Sequence, residues 1–333
     1  MLTLHYEARL GLARGAVYKD GLPHLYLEGY ENDPSLGVLS ARSVARVSGQ
    51  AAGVRFIALA DGAEAVLDAP QEMKLDDGAA IEIEIIAEAR PGKRTRARFL
   101  SAADGPPRRL FAILSLKERI LARARAIFGD IAVEEVPDRD ALEAALDEAR
   151  HPSGPLAGGG DLSIETTRGL IACDVDAGGD SGVKTPRALA KACNQAAVSD
   201  LARRLRLSGL AGLVVVDLIG QRHDGDKLRR LLLEGFIGEA SQIIVAPIGR
   251  FGTLEFTVPW SVRPIAAATP VTAAVALVWQ AVRLSEADRG RPIVLGAPIA
   301  TLEILRPLLS GALDPLAPML RLEASTLPEA AYA

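Results

Sequence analysis

The chain reads as a mixed α/β protein of more than one domain, and three stretches carry that reading. Residues 1–105 hold short β-branched or alternating runs cut by glycine and proline turns. From Ser115 onward the apolar spacing changes to helices alternating with short strands. Leu213–Val216 is apolar without alternation and ends on Asp217, the pattern expected of a strand covered on both faces of a sheet. The 333 residues, 49% apolar and 24% charged, suffice for two or three domains with a substantial core and argue against global disorder.

The first strand-like runs, LGLARGAVYKD and LPHLYLEGYEND, meet at Asp20-Gly21, a hairpin turn signal. SVARVSGQAAGVRFIALA, AEAVLDAP and AAIEIEIIAEA follow. In the last, Ile81, Ile83 and Ile85 alternate with Glu82 and Glu84, the period of a half-buried strand. ARPGKRTRARF then gathers Arg90, Lys93, Arg94, Arg96 and Arg98 close to Phe99. Several short strands over ~70 residues predict a small barrel of the OB type, whose face commonly binds oligonucleotides. A solvated hairpin with charged flanks accounts for the same basic run.

SLKERILARARAIFG predicts a helix capped by Ser115 and stopped at Gly129. IAVEEVPD reads as a strand, RDALEAALDEAR as an amphipathic helix, and HPSGPLAGGG as a linker. The central stretch, Gly158 to Ile219, holds a strand, a turn at Thr167–Gly169 and a strand ending in Asp174-Val175-Asp176. A helix and the apolar strand ending in Asp217 complete it. DKLRRLLLEGFIGEA is helical, and two strands flank Gly249-Arg250-Phe251-Gly252. The last ~70 residues alternate helix, strand, helix, strand, as a small separate α/β module would.

Chemistry concentrates in the central stretch. Asp174 and Asp176 are two apart on a strand and so share a face, and Asp217 ends a neighbouring strand. Carboxylates converging at a sheet edge repel unless a cation joins them, and hard oxygen ligands suit magnesium, with manganese as the alternative. An Asp-x-Asp after a strand is equally a turn or helix-cap feature. GGDSGVKT, Gly178–Thr185, lacks the contiguous Gly-Lys-Thr of a phosphate loop, because Val183 intrudes, and leaves Lys184 as an optional phosphate contact. Arg250 and Phe251 fit either a contact to backbone phosphate and base or a plain glycine-flanked turn. His223 has no partner histidine at ligand spacing and reads as a surface residue.

Other classes are disfavoured. A net charge of −4 advertises no global affinity for nucleic acid, although a local basic groove would be enough. Cys173 and Cys193 form no Cys-x-x-Cys pair, so neither a zinc framework nor a disulfide scaffold is expected. No secretory pattern opens the chain, and its longest apolar run, Ile265–Val282, is broken by Pro270. A cytoplasmic protein outside the membrane is the expectation.

GGGDLSIETTRGLIACDVDAG, CNQAAVSDLARRLRLSGLAGLVVVDLI and IGRFGTLEF, in that order, resemble the catalytic region of the ribonuclease E/G family. ARSVARVSGQAAGVRFIALADGAEAVL resembles that family's RNA-binding OB domain, and the tail from Thr269 its small C-terminal domain. The resemblance implies a ribonuclease-H-like region over 1–36 and 107–157, an OB domain over 37–106, a deoxyribonuclease-I-like catalytic region over 158–263, and a small domain over 264–333. It implies a magnesium-dependent endoribonuclease acting on single-stranded RNA in processing or decay. Asp174 and Asp217 fall on the family's metal-binding aspartates, and Asp176 falls where asparagine is usual. Asn194 and Arg203 match the following helix. On the RNA side the resemblance implicates Phe56, Lys93 and Asn194, and Arg94, Arg250 and Phe251 are further candidate RNA contacts, while Val66 replaces a second stacking aromatic. The family's zinc-binding Cys-x-x-Cys is missing near Pro259–Ala268, so no zinc is expected and any homo-oligomer would need an apolar surface, for which Val275–Trp279 is the nearest candidate. The insertion that senses a 5′-monophosphate has no room between Phe99 and Ser115, where Arg108 and Arg109 lie beside a Pro-Pro turn without fixed geometry. A non-catalytic RNA-binding relative and a metal-dependent phosphohydrolase on small nucleotides are the rival readings.

Overall fold

A computed structural model describes residues 1–70, 72–178 and 185–333; the phosphate-loop look-alike, Lys184 included, falls mostly outside them. The chain opens as a meander of β1 (Leu2–Arg9), β2 (Leu12–Lys19) and β3 (Leu22–Tyr30). Both turns place two successive residues in the left-handed region, Leu10-Gly11 and Asp20-Gly21. This is the geometry that lets a two-residue hairpin follow the strand twist. The first turn, with a leucine at φ 52°, carries no turn signal, which is why β1 is not evident from the sequence.

Strands β4 (Arg42–Ala51), β5 (Val54–Ala58), β6 (Glu64–Asp68), β7 (Ala80–Ala87) and β8 (Thr95–Ala102) pair in the order β4-β5-β6-β8-β7. Because β7 returns to β4, they close a five-stranded barrel of OB-like character. Val47, Ile57, Leu67, Ile81, Ile83 and Ile85 fill it; the isoleucines are those picked out by their period of two. The two-residue β9 (Arg108–Arg109) adds to the edge of β4.

Helix α1 (Leu116–Phe128) begins with a reciprocal cap: the Glu118 amide donates to Ser115 Oγ, and the Ser115 amide donates to the Glu118 carboxylate. The short β10 (Val133–Glu135) lies parallel to β1, giving the order β10-β1-β2-β3, and α2 (Arg139–Arg150) follows. The Gly/Pro-rich segment after α2 is not a loose linker. It contains β11 (Gly154–Pro155), and its carbonyls at Pro152, Gly154 and Pro155 accept bonds from the buried Arg204 guanidinium.

The central layer contains β12 (Asp161–Thr166), β13 (Ile171–Asp176), α3 (Pro186–Ser208), β14 (Gly212–Asp217), α4 (Gly225–Gly235), β15 (Ile244–Val245) and β16 (Thr253–Val258). The strand order is β11-β12-β13-β14-β16-β15, with β13 and β14 parallel. Leu162, Ile164, Cys173, Val175, Val214, Val216, Leu254 and Phe256 share one core with α3 and α4. The opposite face is open. Leu213 is 41% exposed, so the sequence-based expectation of a strand covered on both faces is wrong for β14. Its unalternating run of leucine and valines hides an ordinary one-sided strand.

The tail comprises α5 (Pro270–Ala287), β17 (Ile293–Ala297), α6 (Ile299–Leu309), β18 (Leu320–Ala324) and a further strand β19 (Glu329–Tyr332). Rather than standing apart, it shares a core with Leu10 and Leu12 of the meander. Val275, Leu277, Val278 and Trp279 are buried in that core, which removes Val275–Trp279 as a surface for a dimer. No helix among the described residues is long and apolar enough to cross a membrane.

Candidate active site

The alternation in β13 sends Cys173 and Val175 into the core and leaves Asp174 and Asp176 on the open face. In β14, Val214 and Val216 go inward and Asp217 outward by the same rule. Asp174 and Asp217 are direct Cα partners on parallel neighbours, so their side chains rise from adjacent positions about 4.8 Å apart. Ser163 and Thr253 continue this row on either side. One step further along β13, Asp176 lies opposite Asp161, which makes this end of the sheet strongly acidic. Asp176 Oδ1 also accepts a bond from the Gly178 amide at 3.1 Å. The turn reading of this residue and its place at the acidic edge therefore hold together.

No set of three or more His, Cys, Asp or Glu side chains among the described residues is gathered tightly enough to hold a metal by itself. The Asp174–Asp217 pair nevertheless fits magnesium, which takes one or two protein carboxylates and completes its shell with water and substrate phosphate. The cysteines take no part. Both are buried, and burial pushes the Cys173 thiol up to about 12.

Beside the acidic edge, where the chain leaves β14, opens a cleft of about 840 Å³. Arg187 and Lys191 line it from successive turns of α3, with Arg222 and His223 facing them from the loop after β14. Asn194 sits at its base, 3% exposed. Its amide nitrogen donates to the Ile219 carbonyl and its oxygen accepts from the Ile219 amide, both at 3.0 Å. Both bonds fasten the segment two residues beyond Asp217 to α3. Arg203, also buried, pairs with Asp200 and Glu148 and donates to the Pro23 carbonyl, tying α3 to the meander.

The turn between β15 and β16 leans on the same loop. A Cβ on Gly252, at φ +86°, would lie 3.1 Å from the Gly220 carbonyl and 3.3 Å from His223 Nε2. Phe251 at its tip is 91% exposed, and Arg250 beside it is exposed too. Both therefore stand near Thr253, the cross-strand partner of Asp217. An aromatic ring so exposed at a fixed turn offers a face on which a base can stack.

Phe56 and Val66 are cross-strand partners on the barrel, and the Arg94 guanidinium lies 5.3 Å from the Phe56 ring centre. Three arginines of the basic run are paired with acids from neighbouring barrel strands, Arg94 with Glu64, Arg96 with Asp68 and Arg98 with Glu84. Lys93 is exposed and has no carboxylate partner among the described residues. Sequence reading missed Arg187, Lys191 and Arg222, although the spacing of the first two already put them on one helical face. It also missed Gly160, at φ +87°, where a Cβ would lie 2.6 Å from the Asp176 carbonyl and 2.9 Å from Cys193 Sγ. The glycine run is thus a tight seat for the end of β13.

Residues 119–259, from α1 to the end of β16, match the model of the Ribonuclease E/G family. The chain is thus similar to the ribonuclease E/G family across this region. It is 32% identical to a Ribonuclease E of Nostoc sp. over 120 residues, which is 35% of this chain and 17% of that protein. Ribonuclease E of Escherichia coli is 30% identical over 119 residues, 35% of this chain and 11% of that protein. A chloroplastic Ribonuclease E/G-like protein of Arabidopsis thaliana is 33% identical over 110 residues, 31% of this chain and 11% of that protein. The alignments thus span under one fifth of each of these relatives. The family match contains the acidic edge, the cleft and the Phe251 turn, and the barrel strands lie before it.

Proposed function

We propose that this chain is a metal-dependent endoribonuclease cutting single-stranded RNA in RNA processing or decay. The observation that carries the reading is the pairing of Asp174 with Asp217 on the open sheet face beside a cationic cleft, inside the family match. Asp174 and Asp217 would hold magnesium, which when bound supplies charge neutralisation and an activated water for in-line attack on a phosphodiester. Arg187, Lys191 and Arg222 place the phosphates of the strand beside that edge, and Phe251 stacks a base. Asn194 keeps the segment after Asp217 in place. The fold also suits the ribonuclease-H-like and deoxyribonuclease-I-like parts assigned by resemblance, and the order β10-β1-β2-β3 supports the first. Among the described residues Asp174 and Asp217 stand exposed on an open face, which favours an extended strand over a small nucleotide as substrate. Cleavage of a defined single-stranded RNA in magnesium, absent with a chelator, tests the reading, and RNA binding without cleavage would favour the non-catalytic relative.

Two outcomes follow from residues that depart from the family pattern. Asp176→Asn retains an oxygen for the Gly178 amide and removes one negative charge from the RNA-facing edge. Cleavage at saturating magnesium is expected to stay equal or rise. Complete loss would make Asp176 a direct ligand.

The second concerns the 5′ end. Arg108 is bonded to the Asp104 and Pro106 carbonyls and Arg109 to those of Pro34 and Ser35. Both are therefore anchored, not free as the sequence suggested, and their donors are partly spent on backbone. Without a rigid phosphate pocket their effect should resemble an exposed ion pair, under about tenfold in rate. Matched 5′-hydroxyl, 5′-monophosphate and circular RNAs are expected to be cut at nearly equal rates. A much larger preference for the monophosphate would place a sensor elsewhere in the chain.

A further inference from the structure

A second cleft, of about 660 Å³, lies at the other end of the central sheet, where β13 and β14 begin. Counting from Ile171 to Asp176, its distance from the acidic edge is about 17 Å along the strands. Arg90 and Lys93 reach it from the barrel, Arg150 from the end of α2 and Arg168 from the turn between β12 and β13. Among the described residues that line it there is no Asp or Glu. On a chain of net charge −4, four cations facing one cleft without a lining carboxylate is a local reversal of field.

The barrel explains why these cations are the ones left over. Of the five basic residues in Arg90–Arg98, Arg94, Arg96 and Arg98 are each paired with an acid. The remaining two, Arg90 and Lys93, both face this cleft. Arg90 holds its guanidinium 3.8 Å from the centre of the Trp260 ring, a cation–aromatic pair of the kind that can receive an unpaired base. Arg150 is ion-paired with the buried Glu28 at 3.8 Å, so its charge is partly offset and Arg90, Lys93 and Arg168 carry most of the field. Ser208, 2% exposed, also lines the cleft, and its hydroxyl has no protein partner. A buried hydroxyl of that kind is satisfied by a ligand or by water.

We propose that this cleft is a second RNA subsite, which holds the phosphates of a single strand a few nucleotides away from the segment at Asp174 and Asp217. The proposal rests on the reading of the chain as an RNA-cutting enzyme and extends it to how the strand is held. The strand runs along the open sheet face, anchored at one end by Lys93, Arg90, Arg150 and Arg168 and at the other by the Arg187–Lys191 cleft. Length dependence follows: a strand long enough to reach both clefts binds more tightly and with a steeper salt dependence than a short one.

The test uses the full chain with a chelator present, so that no RNA is cut, and two labelled oligouridylates, a trinucleotide and one several times longer. Lys93→Gln combined with Arg168→Gln removes two exposed cations that the fold does not use. Binding of the long RNA is expected to weaken about tenfold and its log–log salt slope to fall by about 1.4, two contacts at roughly 0.7 each on a single strand. Trinucleotide binding should not change. Arg96→Gln, which removes a cation already paired with Asp68, should leave both RNAs unaffected. Long-RNA binding that is equally tight and equally salt-sensitive in the double variant overturns the second subsite and leaves the RNA reading standing. Failure of the unsubstituted chain to bind either RNA overturns both. Displacement of the long RNA by polyglutamate at lower concentration than by unlabelled oligouridylate would assign the cleft to an acidic protein and overturn the subsite.

Discussion

Asp174→Asn and Asp217→Asn are each expected to lower cleavage of single-stranded RNA by more than ~100-fold while leaving the thermal unfolding curve in place. Both side chains are exposed on the open face and, among the described residues, neither is engaged by a hydrogen bond or ion pair. Asparagine has nearly the same shape and tolerates an exposed strand position, so the fold loses nothing. What is lost is one of two adjacent anionic ligands, and a divalent cation binds a neutral amide oxygen more weakly than a carboxylate. Manganese binding followed by its paramagnetic signal should weaken in both variants in parallel with the rate. Equal cleavage by the parent and both variants would sink the metal assignment. Loss of cleavage with unchanged manganese binding would keep the residues at the site but remove them as ligands.

How much of this was legible depended on whether a feature is local. The capping box at Ser115, the Asp20-Gly21 turn and the alternating isoleucines of β7 depend on neighbours within a few residues, and the structure has them where the sequence puts them. The carboxylates were found because each ends or nearly ends a strand. What the sequence could not show was that Asp174 and Asp217 share a register, which needs the β13–β14 pairing across the whole of α3. The same applies to charge. ARPGKRTRARF reads as a basic band, but Glu64, Asp68 and Glu84, which neutralise three of its arginines, come from other strands. Val275–Trp279 misled for a related reason: an apolar helix face looks alike whether a second copy or the chain's own Leu10 and Leu12 covers it. Asn194 lies in the matched helix, but its role depends on a partner 25 residues away.

Asn194→Ala should therefore act through the protein before it acts on RNA. The asparagine satisfies both the amide and the carbonyl of Ile219. Alanine leaves those two partly buried groups without partners, which costs about 2–4 kcal/mol of stability at about 1–3 per group, with part of it recovered by water. The segment from Asp217 to His223 then loses its tie to α3, and with it the placement of Arg222 beside Arg187 and Lys191. Cleavage measured well below the melting transition is expected to drop at least tenfold, with kcat falling more than KM rises, because misplacement of about 1 Å near reacting groups costs rate. Asn194→Asp is the sharper variant. It keeps an acceptor for the Ile219 amide but sets a carboxylate against the Ile219 carbonyl and adds charge in a buried place, so it should be less stable than Asn194→Ala. If instead Asn194→Ala melts with the parent and loses only RNA affinity, the side chain contacts RNA directly and the bonds to Ile219 are incidental.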